Sequence, residues 1–166
     1  MTNLKRHFEE GYSYFVTTIT FERRSIFSEP KNCQILLVTL EYFKLILDYR
    51  IFAFCLMPDH IHLILQPYGQ YDLSYIMKMI KGSFARKYNK SRLQYGKVWQ
   101  DRYYETGIRD SFELIKKVEY THNNPVRANI VSSPEEYPFS SFRQYFCYSQ
   151  QDAKSCNFIR IDKLEN

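Results

Sequence analysis

Glycine and cysteine are scarce in this chain, and long hydrophobic runs are missing. The 166 residues include 5 glycines, and they form no glycine-rich loop of the kind that holds nucleotide phosphates. The cysteines lack a CxxC motif and zinc-site spacing, so we expect reduced thiols; they are Cys33, Cys55, Cys147 and Cys156. No stretch approaches the roughly 20 apolar residues of a membrane span. The start, MTNLKRHFEEGY, lacks the apolar run of a signal peptide. We therefore expect a cytoplasmic protein that does not insert into a membrane.

The positive charge of the chain is concentrated in one segment. The formal net charge is +5, while residues 78–103 hold eight Lys or Arg and one acid, which leaves the other 140 residues slightly acidic. A local excess of this kind is typical of a polyanion-binding face, although a solvated helix surface would look the same. The eight cations are Lys78, Lys81, Arg86, Lys87, Lys90, Arg92, Lys97 and Arg102.

Length and hydrophobic patterning predict a single α+β domain over residues 1–148, followed by a tail at 149–166 whose structure the pattern does not predict. We expect strands at 12–21, 51–57, 60–66 and 98–108, helices at 30–48 and 73–89, and a short helix at 140–148. A third helix starts at Asp110 or Ser111 and ends at Asn123 or Asn124, where Pro125 interferes. The order β-α-β-β-α-β predicts a ferredoxin-like antiparallel sheet. The third helix could cover the face that the other two leave open.

The sequence His60-Ile61-His62 opens the third predicted strand. Side chains alternate along a strand, so the two imidazoles point the same way, about 6–7 Å apart. Such a pair can bind one divalent metal. Two partly exposed histidines without a ligand are the alternative.

A second group lies near the end of the third helix, in Tyr120-Thr121-His122-Asn123-Asn124-Pro125. Positions i and i+4 of a helix share a face, so Tyr120 and Asn124 point together and His122 points elsewhere. A tyrosine hydroxyl becomes useful against a phosphodiester when a metal neutralises the phosphate charge. The Asn124 oxygen could supply a third ligand suited to Mg²⁺ or Mn²⁺. Because the chain has 15 tyrosines, ordinary packing is the alternative for Tyr120.

Four segments together resemble the single-tyrosine HUH transposases, above all the REP-associated tyrosine transposases. They are MPDHIHLIL (57–65), VWQDRYYE (98–105), YTHNNPVRANIV (120–131) and YPFSSF (137–142). The resemblance implies a ferredoxin-like fold and cleavage and rejoining of single-stranded DNA at hairpin-bearing ends. It implies Tyr120 as the nucleophile, forming a 5′-phosphotyrosine, and Mg²⁺ or Mn²⁺ on His60, His62 and Asn124. It also implies a bacterial or archaeal protein of the nucleoid, acting as a homodimer or as a monomer.

The chain departs from the family pattern at two positions. Many relatives have His where this chain has Thr106, and most have Gly where it has Asn129. Asparagine tolerates a left-handed backbone, so we expect the turn at Asn129 to survive.

The basic segment is interleaved with aromatic residues. Cations can follow phosphates, and aromatic rings can stack on unpaired bases. Besides the eight cations, the candidates for DNA contact are Trp99, Gln100, Tyr103 and Arg127; core packing is the alternative for Trp99. Two other functions stay open: an inactive module that binds single-stranded or hairpin DNA, and a metal phosphodiesterase in which Tyr120 has no part.

Overall fold

The computed structural model describes residues 11–146 and 159–162. Four antiparallel strands form one sheet in the order β2-β3-β1-β4. They are β1 (Ser13–Ile19), β2 (Tyr49–Met57), β3 (His60–Pro67) and β4 (Tyr104–Ile108). The helices are α1 (Pro30–Leu47), α2 (Leu73–Ser91), α3 (Ser111–Arg127) and the short α4 (Phe142–Phe146). This α+β arrangement confirms the ferredoxin-like prediction. None of the helices in these ranges is both long and apolar enough to cross a membrane.

The sheet carries a hydrophobic core on each of its faces. Ile61, Leu63 and Leu65 of β3 point into the main core, which α1 and α2 cover. Ile64 points the other way, into a smaller core with Leu114 and Val118 of α3. Strand alternation thus divides β3 between two layers. The third helix covers the face opposite α1 and α2, as predicted.

Residues 159–162 pack against the outer edge of the sheet. Ile159 is fully buried in the main core. The backbone N–H of Asp162 donates to the Ile51 carbonyl at 2.7 Å, and its carboxylate accepts from the Ile51 N–H at 2.8 Å. Lys44 of α1 pairs with the same carboxylate at 2.7 Å. These contacts cover the part of the β2 edge around Ile51. The rest of the 149–166 tail lies outside the described residues.

Cys33 and Cys55 are buried free thiols, in agreement with the prediction of reduced cysteines. Burial raises the pKa of Cys33 to about 12 and also raises that of Cys55, which makes both thiols unreactive. Cys147 and Cys156 lie outside the described residues.

The fourth strand is shorter than the predicted span of 98–108. It begins at Tyr104, and Trp99 makes only an isolated bridge to Thr20 at the end of β1. The Trp99 ring lies 5.7 Å from that of Phe27 and 5.3 Å from that of Phe84. Because the Trp99 side chain is buried in the main core, the segment before β4 does not form a regular ladder of hydrogen bonds with β1.

The prediction that Pro125 ends the third helix is wrong, since α3 continues to Arg127. The Ala128 N–H donates to the Asn124 carbonyl and the Ile130 N–H to the Pro125 carbonyl, each at 2.9 Å. The turn then closes at Asn129 with φ +54°, which confirms the left-handed conformation expected of this asparagine. Proline lacks one donor but its φ suits a helix, and α3 ends two residues beyond it. The last predicted helix, 140–148, is present as α4; residues 147 and 148 lie outside the described residues.

Candidate active site

His60 and His62 lie side by side on the face of β3 that is turned toward α3. Their ring centroids are 4.8 Å apart, with an angle of 80° between the ring planes. Ile61 between them is buried in the main core, so the strand's alternation fixes the direction of both imidazoles.

Each histidine is held through its Nδ1 atom by a different neighbour. The Nδ1 of His60 lies 2.6 Å from Asp59 Oδ1, and Asp59 Oδ2 accepts from Arg23 Nη1 at 2.9 Å. The Nδ1 of His62 lies 2.8 Å from Thr17 Oγ1 on β1. A hydrogen bond at one ring nitrogen sets the tautomer and orients the ring. With Nδ1 engaged, Nε2 is the ring nitrogen through which each histidine could bind a metal; the His62 ring also hydrogen-bonds with Asn124.

The electrostatics favour neutral imidazole at His62 and an ionised carboxylate at Asp59. Burial lowers the pKa of His62 to about 3, with a further contribution from His60, while a hydrogen bond with Asn124 opposes the shift. Burial acts to raise the pKa of Asp59, but hydrogen bonds from His60 and Arg23 outweigh it and the pKa lies below its usual 3.8. Neutral imidazole is the form that binds a metal.

Tyr120 and Asn124 of α3 lie over the histidine pair. The Tyr120 ring is 5.9 Å from that of His62 and 5.7 Å, edge-on, from that of Phe15. The Asn124 amide donates from Nδ2 to the Tyr120 carbonyl at 2.9 Å, which leaves its oxygen available as an acceptor or a ligand. The Arg127 guanidinium lies 5.2 Å from the centre of the Tyr120 ring. The structure thus brings together four of the predicted site residues, with Arg127 beside them.

His122 points away from this group, as the helical spacing predicts. It is buried, and its Nε2 lies 2.8 Å from Ser141 Oγ. Burial lowers its pKa to about 4, so His122 is a neutral packing residue between α3 and α4.

The donors at this site fit a hard divalent cation only if Asn124 contributes. In the described ranges, no three His, Cys, Asp or Glu side chains come together where they could hold a metal ion. The two histidine rings and the Asn124 amide oxygen make a mixed nitrogen–oxygen set. The amide oxygen is the donor that suits Mg²⁺ or Mn²⁺, whereas imidazole nitrogens are more usual ligands of other divalent transition metals.

The helical part of the basic segment, on α2, lies on a different layer from the histidines. The α2 helix packs with α1 on the main-core face of the sheet, whereas His60 and His62 face α3. Four of the predicted cations have partners within the chain: Arg92 with Glu29, Lys97 with Asp101 at 3.0 Å, Lys87 with Thr39 Oγ1 at 3.0 Å and Lys81 with the Gln100 carbonyl at 2.9 Å. The exposed members of the segment are Lys78, Arg86, Lys87, Lys90, Arg92, Lys97 and Arg102.

The aromatic candidates of this segment lie further inside than expected. Trp99 is 6% exposed and donates from Nε1 to the Lys81 carbonyl at 3.0 Å, so we exclude it from the proposed DNA contacts. Tyr103 is half-buried against the main core. Gln100 is half-buried too, with its backbone N–H bonded to the Ile19 carbonyl. The neighbouring Tyr104, which the sequence did not single out, is 68% exposed.

Asp59 and Thr17 were also missed as partners of the histidines. Asp59 directly precedes His60. The sequence indicated a Pro-Asp turn there, and a turn signal does not predict that the Asp59 carboxylate contacts the His60 ring. Thr17 could be found only from the pairing of β1 with β3, in which it lies opposite His62.

The sequence and the fold were compared with known proteins. The sequence model of the family described as Transposase IS200 like matches residues 9–124. A protein of Haemophilus influenzae assigned to the REP-associated tyrosine transposases is 30% identical, with 87% of each chain covered. The Escherichia coli K12 REP-associated tyrosine transposase is 28% identical, over 87% of this chain and 84% of its own. Among solved structures, a REP-associated tyrosine transposase bound to a REP hairpin matches with a TM-score of 0.76 and 26% identity, covering all of this chain and 93% of its own.

Proposed function

This chain belongs to the family of IS200-like transposases, and we propose that it cleaves and rejoins single-stranded DNA at hairpin-bearing ends through Tyr120. The observation that carries the proposal is the position of Tyr120 on α3. Its ring lies 5.9 Å from His62, and it shares a helix face with Asn124, which hydrogen-bonds to the same histidine.

His60, His62 and Asn124 would hold the divalent ion. The orientation of both imidazoles through Nδ1 supports this assignment, because metal-binding histidines are commonly held through their second nitrogen. When bound, Mg²⁺ or Mn²⁺ supplies Lewis-acid stabilisation of the charge on the scissile phosphate.

Tyr120 performs the covalent step. Its hydroxyl oxygen attacks phosphorus and loses its proton, the P–O3′ bond breaks, and the 3′ oxygen leaves and takes up a proton. The product is a 5′-phosphotyrosine and a free 3′-OH. Attack by a 3′-OH on this joint reverses the bond changes and releases the tyrosine, so no nucleotide is consumed. The Arg127 guanidinium beside the Tyr120 ring is placed to counter negative charge during both steps.

The hairpin is the partner that the comparisons favour, since the solved relative is bound to a REP hairpin. We assign the hairpin contact to the exposed cations of α2 and the loop after it, where Arg86 and Lys90 line a groove of about 430 Å³ together with Tyr95. Phosphate contacts by lysine and arginine supply most of the affinity for a nucleic acid and make it sensitive to salt.

The test is the covalent adduct between the protein and a single-stranded hairpin substrate, in the presence of Mg²⁺ or Mn²⁺. We expect the wild-type chain to form an adduct that survives denaturation. Tyr120→Phe should abolish it and leave DNA binding intact. Tyr75→Phe is the matched control, because Tyr75 on α2 is 39% exposed against 38% for Tyr120.

Two results would contradict the proposal: no adduct with the wild-type chain, or an adduct that persists in Tyr120→Phe. Tight, salt-sensitive binding without cleavage of any hairpin-bearing end would identify the chain as a binding module instead.

A further inference from the structure

We propose that the half of the sheet left open beside the active site binds the single strand next to the scissile phosphate, and that Tyr104 stacks on one of its unpaired bases. The surface consists of Phe15 and Thr17 on β1 with Tyr104 and Thr106 on β4, and is called the open face below. The inference rests on the proposed function and names where its substrate lies.

Strand register places the open face in line with the histidines. Thr17 lies opposite His62 on one side and opposite Tyr104 on the other. Directly opposed residues of an antiparallel sheet project from the same face. His62, Thr17 and Tyr104 therefore form a row across three strands. With neighbouring strands about 4.8 Å apart, Tyr104 stands roughly 10 Å from His62.

The coverage by α3 explains why the row is accessible at its β4 end, although His62 at its other end is buried. Along the same face of β4, Ile108 is 5% exposed beneath the start of α3, whereas Tyr104 at the other end of the strand is 68% exposed. Thr106 between them is exposed as well. From Ile108 the helix crosses toward β2 and β3, where it packs on Phe52, Ala53 and Ile64. In the described part of the chain, α3 therefore does not cover the end of β4 that carries Tyr104 and Thr106.

Charge at the border of the open face suits a phosphate backbone. The Lys117 ammonium lies 4.8 Å from the centre of the Phe15 ring, and the Arg127 guanidinium lies beside Tyr120. Both cations come from α3; Lys117 borders the open face at Phe15, and Arg127 lies at Tyr120. A strand that leaves Tyr120 along this surface meets cations on one side and an exposed aromatic ring on the other.

An exposed aromatic ring beside cations matches the way proteins bind single strands. A base must be unstacked to lie on a side-chain ring, so this surface selects unpaired nucleotides rather than a duplex. Stacking on an aromatic ring is tolerant of sequence, because every base has a π-face. The open face would thus hold the strand in register for attack, while α2 on the other layer contacts the hairpin.

The experiment measures binding by fluorescence anisotropy in a Tyr120→Phe background without divalent metal, so that cleavage plays no part. The probes are a labelled hairpin with a single-stranded extension of about ten nucleotides and the same hairpin with a blunt end. Tyr104→Ala should weaken binding of the extended hairpin by about 5- to 150-fold and leave the blunt hairpin unchanged. Tyr104→Phe should bind like the parent, because the ring is retained.

Tyr42→Ala provides the control, since Tyr42 on α1 is 56% exposed and remote from the open face. The extension also carries 2-aminopurine at successive positions, and one position should brighten in Tyr104→Ala as stacking is lost. Unchanged affinity in Tyr104→Ala, an equal loss with the blunt hairpin, or an equal loss in Tyr42→Ala would overturn the proposal. Failure of adduct formation in the wild-type chain would contradict the proposed function and leave this binding result standing.

Discussion

Replacing Asp59 with asparagine removes one negative charge from the support of His60 while keeping a side chain of the same shape. The Asp59 carboxylate lies 2.6 Å from His60 Nδ1 and is held on its other oxygen by Arg23. The amide oxygen of asparagine can still accept from Nδ1, so the ring should keep its direction. What changes is the charge that makes His60 a stronger ligand.

The size of the effect follows from the kind of hydrogen bond at each histidine. Bonds to a charged group contribute about 1.5–3 kcal/mol and neutral ones about 0.5–1.5 kcal/mol. At 1.4 kcal/mol for each factor of ten, Asp59→Asn should weaken Mn²⁺ binding about tenfold. Asp59→Ala removes the whole contact and should cost about 10- to 100-fold. Thr17→Val removes only a neutral bond at His62 and should cost less.

Titration calorimetry of Mn²⁺ into the DNA-free protein measures these affinities directly. Asp101→Asn is the control, because Asp101 pairs with the exposed Lys97 on the surface and should leave Mn²⁺ affinity unchanged. If Asp59→Asn and Asp59→Ala bind Mn²⁺ as tightly as the wild-type chain, the orienting role of Asp59 is refuted. If the wild-type chain binds none, the metal assignment itself fails.

Two further predictions concern stability and pH. Ile159→Ala should lower the free energy of unfolding by about 2–5 kcal/mol, because Ile159 is fully buried in the main core; urea denaturation measures this, and Arg160→Ala at an exposed position should change little. Burial lowers the pKa of Lys81 to about 8, with Asp101 opposing the shift. A lowered lysine pKa means that charge is lost as pH rises through 8. Lys81 is half-buried and is not one of the assigned hairpin contacts, so the loss acts only through the local positive potential, and hairpin affinity should fall by about threefold or less between pH 7 and pH 9. Lys81→Arg should abolish that fall; an identical fall in both proteins would exclude Lys81 as its source.

The predictions from sequence were correct where side-chain direction follows from the repeat of one strand or one helix. Alternation along β3 predicted that His60 and His62 face the same way, and the i, i+4 spacing predicted that Tyr120 and Asn124 point together while His122 does not. The left-handed turn at Asn129 followed from the conformational tolerance of asparagine. Each of these depends on residues that are close in the chain.

The predictions failed where distant packing competes with a local preference. Trp99 was a candidate for DNA stacking, with core packing as the alternative. In the structure its ring packs against Phe27 and Phe84 in the main core, because burial of a large aromatic side chain is strongly favourable even within a basic stretch of sequence. Pro125 was expected to end α3, but the helix continues to Arg127.

The sequence by itself determined the order of strands and helices and the directions of side chains within each element, because these follow from the repeat of a strand or a helix. It also determined the family, through its motifs. Only the tertiary structure decided which elements face one another. It placed the basic α2 on the opposite layer from the histidines, brought Thr17 to His62 and left Tyr104 open beside them. Such placements depend on strand register and on the path of α3 across the sheet. Contacts between residues far apart in the chain determine both of these, so a local sequence pattern does not predict them.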